Sequence, residues 1–162
     1  SSAELALIPA VLLTPLLSAS VIGASLGSPI GELENAVSRS LPRLRAIHLL
    51  LLGLIASVSV MVATQGWDYP DSDTMVARNL AGFVGIALVS AWLIGGRLSW
   101  IPPLVYAILA LVLGNPADGE SLSWAWPVQA GNVDAAIYVV LGLFIVGVVL
   151  FVWKGPKFIA GD

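Results

Sequence analysis

Five apolar runs divide the chain, at residues 5–27, 46–65, 76–95, 98–114 and 133–153, and most polar residues fall between them. A hydrocarbon core about 30 Å thick needs roughly 20 apolar residues as a helix. The pattern therefore predicts an all-α polytopic membrane bundle of about five spanning helices, in a single transmembrane domain over residues 1–162. Pro9 and Pro15 lie in the first run and predict a kink. A lipid-buried helix accepts one when its neighbours satisfy the freed carbonyls. Ala19, Gly23 and Gly27 repeat every four residues, and Ala81, Gly82 and Gly85 form a similar small face in the third run. Such stripes let helices approach closely. Pro102 and Pro103 stand near the start of the fourth run, where a helix best accepts proline.

The stretch Ser28–His48 breaks this pattern. It is charge-dense, yet it is not a simple turn: Glu32 and Glu34 precede Arg39, Arg43 and Arg45. It reads as a short amphipathic helix over about 29–40, lying on the inner face of the membrane. Ser28 can cap it, and Pro29 suits the first helical position. The acids near its start and Arg39 at its end suit the helix dipole. Ile30, Leu33 and Val37 share one face, and Pro42 is expected to end it. The plainer reading is an ordinary basic inner loop.

Composition sharpens the class. The chain is 58% hydrophobic and only 10% charged, with a mean hydropathy of +0.95. Soluble domains carry about 25% charge. The absence of cysteine excludes disulfides and thiolate metal sites. Seven basic residues, mostly at helix ends, make no nucleic-acid footprint. Placing residues 28–45 inside also puts Arg97, Lys154 and Lys157 inside; Arg78 is then the one basic residue that is not. Asp68, Asp71, Asp73, Asp118 and Glu120 fall outside, with Asp134 at an outer helix start. The expected location is the plasma membrane, with the 28–45 loop and the C-terminus cytoplasmic and residue 1 external. The chain opens Ser-Ser, and no positive n-region precedes Leu5. With the odd helix count, this leads us to expect an earlier spanning helix before residue 1.

No catalytic constellation is visible. His48 is the single histidine and has no carboxylate within helical reach, so a structural place at the inner interface is expected. No Gly-x-Ser-x-Gly elbow and no phosphate-binding loop occurs. The expectation is a non-enzyme without a metal site. Arg78 and Asn79 are the polar pair within a span. One reading anchors Arg78 at the outer end, snorkelling to headgroups or pairing with Asp71, Asp73 or a lipid phosphate. The other places Arg78 and Asn79 on a substrate path. Trp124 and Trp126 suit the headgroup zone as interface anchors.

Residues 27–48 resemble the permease subunits of type-two ATP-binding-cassette exporters. In that family an inner loop carries a glycine, an acidic-leucine-acidic step, and then a serine-arginine run with a basic tail. Here these features are Gly31, Glu32, Leu33 and Glu34, followed by Ser38, Arg39, Leu41, Pro42, Arg43 and Arg45. Ser40 stands where the family has proline. The run from Ala77 to Leu111 looks like actinobacterial members, and the later helix spacing is similar with the family's first helix absent. The resemblance implies an ATPase-coupling helix carried by Glu32, Leu33, Glu34, Arg39 and Arg43. It also implies a separate ATP-binding subunit that holds the ATP and Mg²⁺, a second permease half, and an apolar or amphipathic cargo reached through membrane lipid. A non-catalytic scaffold or anchor subunit of a larger membrane complex is the alternative reading.

Overall fold

A computed structural model describes residues 2–27, 41–65, 72–114, 123–129 and 134–157. The described residues form five α-helices and two short 3₁₀ segments, without a strand. The helices are α1 (Ser2–Ser25), α2 (Leu41–Ala63), α3 (Ser72–Ile94), α4 (Ile101–Leu113) and α5 (Asp134–Lys154). A 3₁₀ turn (Gly96–Leu98) joins α3 to α4, and a 3₁₀ segment (Ser123–Val128) precedes α5. The amphipathic helix expected over 29–40 lies outside the described residues.

Four spans are long and apolar enough to cross a membrane: α2, α3, the Gly96–Leu113 stretch containing α4, and α5. In α1 the residues Val11–Ser25 form a shorter apolar stretch. The expected membrane bundle is therefore present. Its packing runs against simple hydropathy. The two most hydropathic spans, α2 and α5, are the least buried within the protein, whereas α3 is 56% buried and α2 only 11%. Lipid solvates apolar side chains as well as a protein core does, so the helix that others surround is the one rich in small residues.

Helix α3 is the central element, packed most extensively against α5 and next against α1. Val76, Phe83, Ala87, Leu88 and Ala91 bury its length. The small face expected on α3 is shared among three neighbours. Gly85 lies against the Leu143–Phe144 backbone of α5, and Gly147 returns the contact. Gly82 takes an indole ring, and Ala81 faces a groove. Gly23 on α1 and Gly27 just beyond it meet the backbone around Gly96–Trp100 rather than a long helix. Ser99 Oγ donates to the Gly23 carbonyl at 2.8 Å and seals that joint.

One boundary differs from expectation: the second span, expected from about residue 46, begins at Leu41. Pro42 sits in the first turn of α2, where its missing N–H would have no helical partner anyway, and the helix it was expected to end lies outside the described residues. Arg43 and Arg45 thus belong to α2. Pro102 and Pro103 occupy the first turn of α4 as expected. With 13 residues, α4 rises about 20 Å at 1.5 Å per residue. The second 3₁₀ segment folds over its C-terminal end, with Ala125 and Val128 against Gly114.

The ends of the bundle differ in charge. At one end Gly27 meets Arg97, Gly155 lies over the Arg45 guanidinium, and the Lys157 N–H donates to the Ala91 carbonyl at 2.9 Å. Gly155 has φ 74° and closes α5 in a conformation that favours glycine. Five basic residues, Arg43, Arg45, Arg97, Lys154 and Lys157, collect at this Arg97 end. The opposite end carries Asp73 and the segment around Trp126.

Candidate functional site

Two features stand out: a buried polar lock at the Trp126 end, and a long groove beside α2. The lock begins with a backbone problem. The turns over 123–129 are irregular at Ala125 (φ −86°, ψ 30°) and contain Pro127, so their carbonyls are not all answered internally. Such backbone is tolerated within a membrane bundle only where protein satisfies it. Arg78 and Asn79 supply the donors. One Arg78 guanidinium nitrogen donates to the Trp126 carbonyl at 2.6 Å and the Gln129 carbonyl at 2.7 Å. Asn79 Nδ2 donates to the Pro127 carbonyl at 2.9 Å. The carbonyl end of a helical turn is its negative end and suits a cation.

Between these hydrogen bonds the Trp126 side chain turns inward and is fully buried. Its ring lies 5.1 Å from Phe83, tilted by 51°, and 5.5 Å from Tyr106 at 29°. Gly82 lies directly against the indole, so a Cβ there would collide with the ring. The Tyr106 hydroxyl donates to the Trp124 carbonyl. Trp126 therefore differs from its expected placement, and Arg78 from the snorkelling part of its own. Arg78 does not snorkel, because it is 5% exposed and directed at backbone carbonyls. Trp126 is a core residue, and only Trp124, 40% exposed, has the half-wet setting expected of the pair.

The groove lies between α2 and the body formed by α3, α5 and the end of α1, with a volume of about 1410 Å³. Its α2 wall runs from Ala46 to Gln65 and its α3 wall from Ser72 to Leu88, with Phe144, Val148 and Val152 as floor. By helix rise the α2 wall is about 28 Å long, close to the thickness of a bilayer core. The groove exists because α2 buries little: Ala56 and Val60 are its buried residues. Two hydroxyls on the α2 side are already answered. Ser57 Oγ donates to the Gly53 carbonyl at 2.8 Å, and Thr64 Oγ1 to the Met61 carbonyl at 3.2 Å.

Of the coupling residues expected from sequence, Glu32, Leu33, Glu34 and Arg39 lie outside the described residues. Arg43 is exposed in the first turn of α2. His48 is exposed one to two turns further on. Arg78 and Asn79 are brought together with Trp126, Pro127 and Gln129, a grouping that sequence reasoning missed. The groove was missed too; small residues such as Gly53 and Ser57, four apart on α2, were its available signal. The chain matches no family model, and no curated protein or solved structure matches it either.

Proposed function

We propose that the chain is a membrane-spanning permease subunit of an ATP-driven exporter, moving an apolar or amphipathic molecule with energy from a separate ATPase subunit. The observation that carries this reading is the groove beside α2. It is apolar, open at the side and as long as a bilayer core is thick. A molecule in it can keep its tail in hydrocarbon while its head travels between faces. The resemblance of residues 27–48 to the coupling loop of type-two exporters supports the same reading. That stretch leads directly into α2, the helix held by the fewest buried residues. A push on Glu32, Leu33, Glu34, Arg39 and Arg43 would therefore reach a wall of the groove. In this reading ATP and Mg²⁺ belong to the partner, and a second permease half completes the pathway. The clustering of Arg43, Arg45, Arg97, Lys154 and Lys157 supports placing that end in the cytoplasm.

The test is isolation of the protein from native membranes in mild detergent, followed by assay of ATP hydrolysis. An ATPase subunit is expected to co-purify. Glu32→Lys with Glu34→Lys is expected to leave membrane insertion intact while hydrolysis no longer follows added amphipathic substrates. Purification without any ATPase would sink the exporter reading and favour the scaffold, to which the rigid Arg78–Trp126 lock is equally suited.

A further inference from the structure

The groove is not uniform. Along its middle it presents Gly53, Ser57 and Leu54 from α2 and Ala77, Leu80 and Ala81 from α3. A Cβ at Gly53 would meet nothing within 4 Å, so this glycine serves no helix contact and widens the waist. Apart from Ser57, the polar side chains gather at one end: Thr64, Gln65, Ser72, Asp73 and Thr74. Asp73 is the one charged residue among the described residues lining the groove. The dipole at the start of α3 accounts for a carboxylate at position 73, but not for an apolar groove leading away from it.

We infer that the groove binds a long-chain amine amphipath, with its alkyl chain along the Gly53–Leu80 waist and its ammonium beside Asp73. This deepens the exporter reading and rests on it for the occupant being cargo. A tail gains from the apolar walls without stranding a hydrogen-bonding group, because Ser57 and Thr64 bond within their own helix. The head selects by charge: a carboxylate head would face Asp73 and repel it, and an ammonium head would be attracted. The polar end sits at the level where a headgroup leaves hydrocarbon, as the position of residues 64 and 73 at the helix ends requires.

Electron spin resonance on the protein in phosphatidylcholine nanodiscs tests this. The probes are spin-labelled stearyltrimethylammonium and spin-labelled stearic acid. The immobilised fraction is expected to favour the ammonium by about fivefold, the scale of one partly shielded ion pair. Asp73→Asn is expected to reduce the preference below about twofold, and Asp73→Glu to keep it. Gly53→Trp, with helical content checked by circular dichroism, is expected to lower immobilisation of both probes. Equal immobilisation in the native chain would mean bulk lipid fills the groove and would overturn the inference. So would a preference that survives Asp73→Asn, or efficient disulfide linkage of two Gly53→Cys copies, which would make the groove a slot for a second chain. None of these readouts needs ATP, so they fail independently of the hydrolysis test.

Discussion

Arg78 reaches two carbonyls 48 and 51 residues away, and Asn79 reaches a third between them. Hydrogen bonds from a charged donor contribute about 1.5–3 kcal/mol, and their loss strands the acceptors. Arg78→Ala is therefore expected to cost about 3 kcal/mol of stability, measured by denaturant unfolding in micelles. Arg78→Lys should recover only part of it, because the shorter lysine stem holds its ammonium back from the point where one guanidinium nitrogen reaches both Trp126 and Gln129. Gly82→Leu acts on the same spot from below. It should expel the Trp126 ring and abolish the near-ultraviolet circular dichroism of the Trp126–Tyr106–Phe83 stack. None of this was legible at residue level. The partners of Arg78 are main-chain oxygens, which every residue type carries, so no spacing of side chains announces them. Likewise nothing in the local sequence distinguishes Trp124 from Trp126, although one faces outward and the other is fully enclosed.

Among the elements, α2 and α3 have equal lengths of 23 residues but opposite roles. Leu50 on α2 is 72% exposed, and Phe83 on α3 is fully buried. In the same unfolding assay Phe83→Ala should cost about 3–5 kcal/mol, and Leu50→Ala within about 0.5 kcal/mol of nothing. Ser99→Ala, which opens the joint between α1 and the 3₁₀ turn, should cost about 1 kcal/mol. Element existence was well marked in the sequence, because a long uncharged run leaves a lipid-embedded backbone few options besides helix. Boundaries were less so. Pro42 is compatible with the end of one helix and with the first turn of the next, and it does occupy the first turn of α2. The groove was illegible for a different reason: it is a distance between helices, and hydropathy along one helix reports nothing about how far away its neighbour stands.

For the molecule as a whole, the segregation of charge invites a direct check of sidedness. Single cysteines replacing Lys157 and Gln65 should label from opposite faces of sealed vesicles, since they mark the Arg97 end and the Trp126 end. Labelling of Lys157→Cys from the outside would reverse the proposed orientation. The lock between α3 and the 123–129 segment also has a consequence for biosynthesis. Trp126 is translated 48 residues after Arg78, a delay of several seconds at about 5–20 residues per second. Throughout that interval α3 must sit at the translocon with a guanidinium whose eventual acceptors have not yet been made. An arginine at a span's centre disfavours insertion by about 2.5–3.5 kcal/mol, and one nearer its end, as Arg78 is in α3, by part of that. A nascent chain stopped at Gly114 should therefore leave a substantial fraction of α3 uninserted in a glycosylation-mapping assay, and extending it past Gln129 should draw that fraction in. The ribosome in effect releases an unfinished span whose partner is still in the exit tunnel, so a premature stop would make this chain a substrate for membrane proteases.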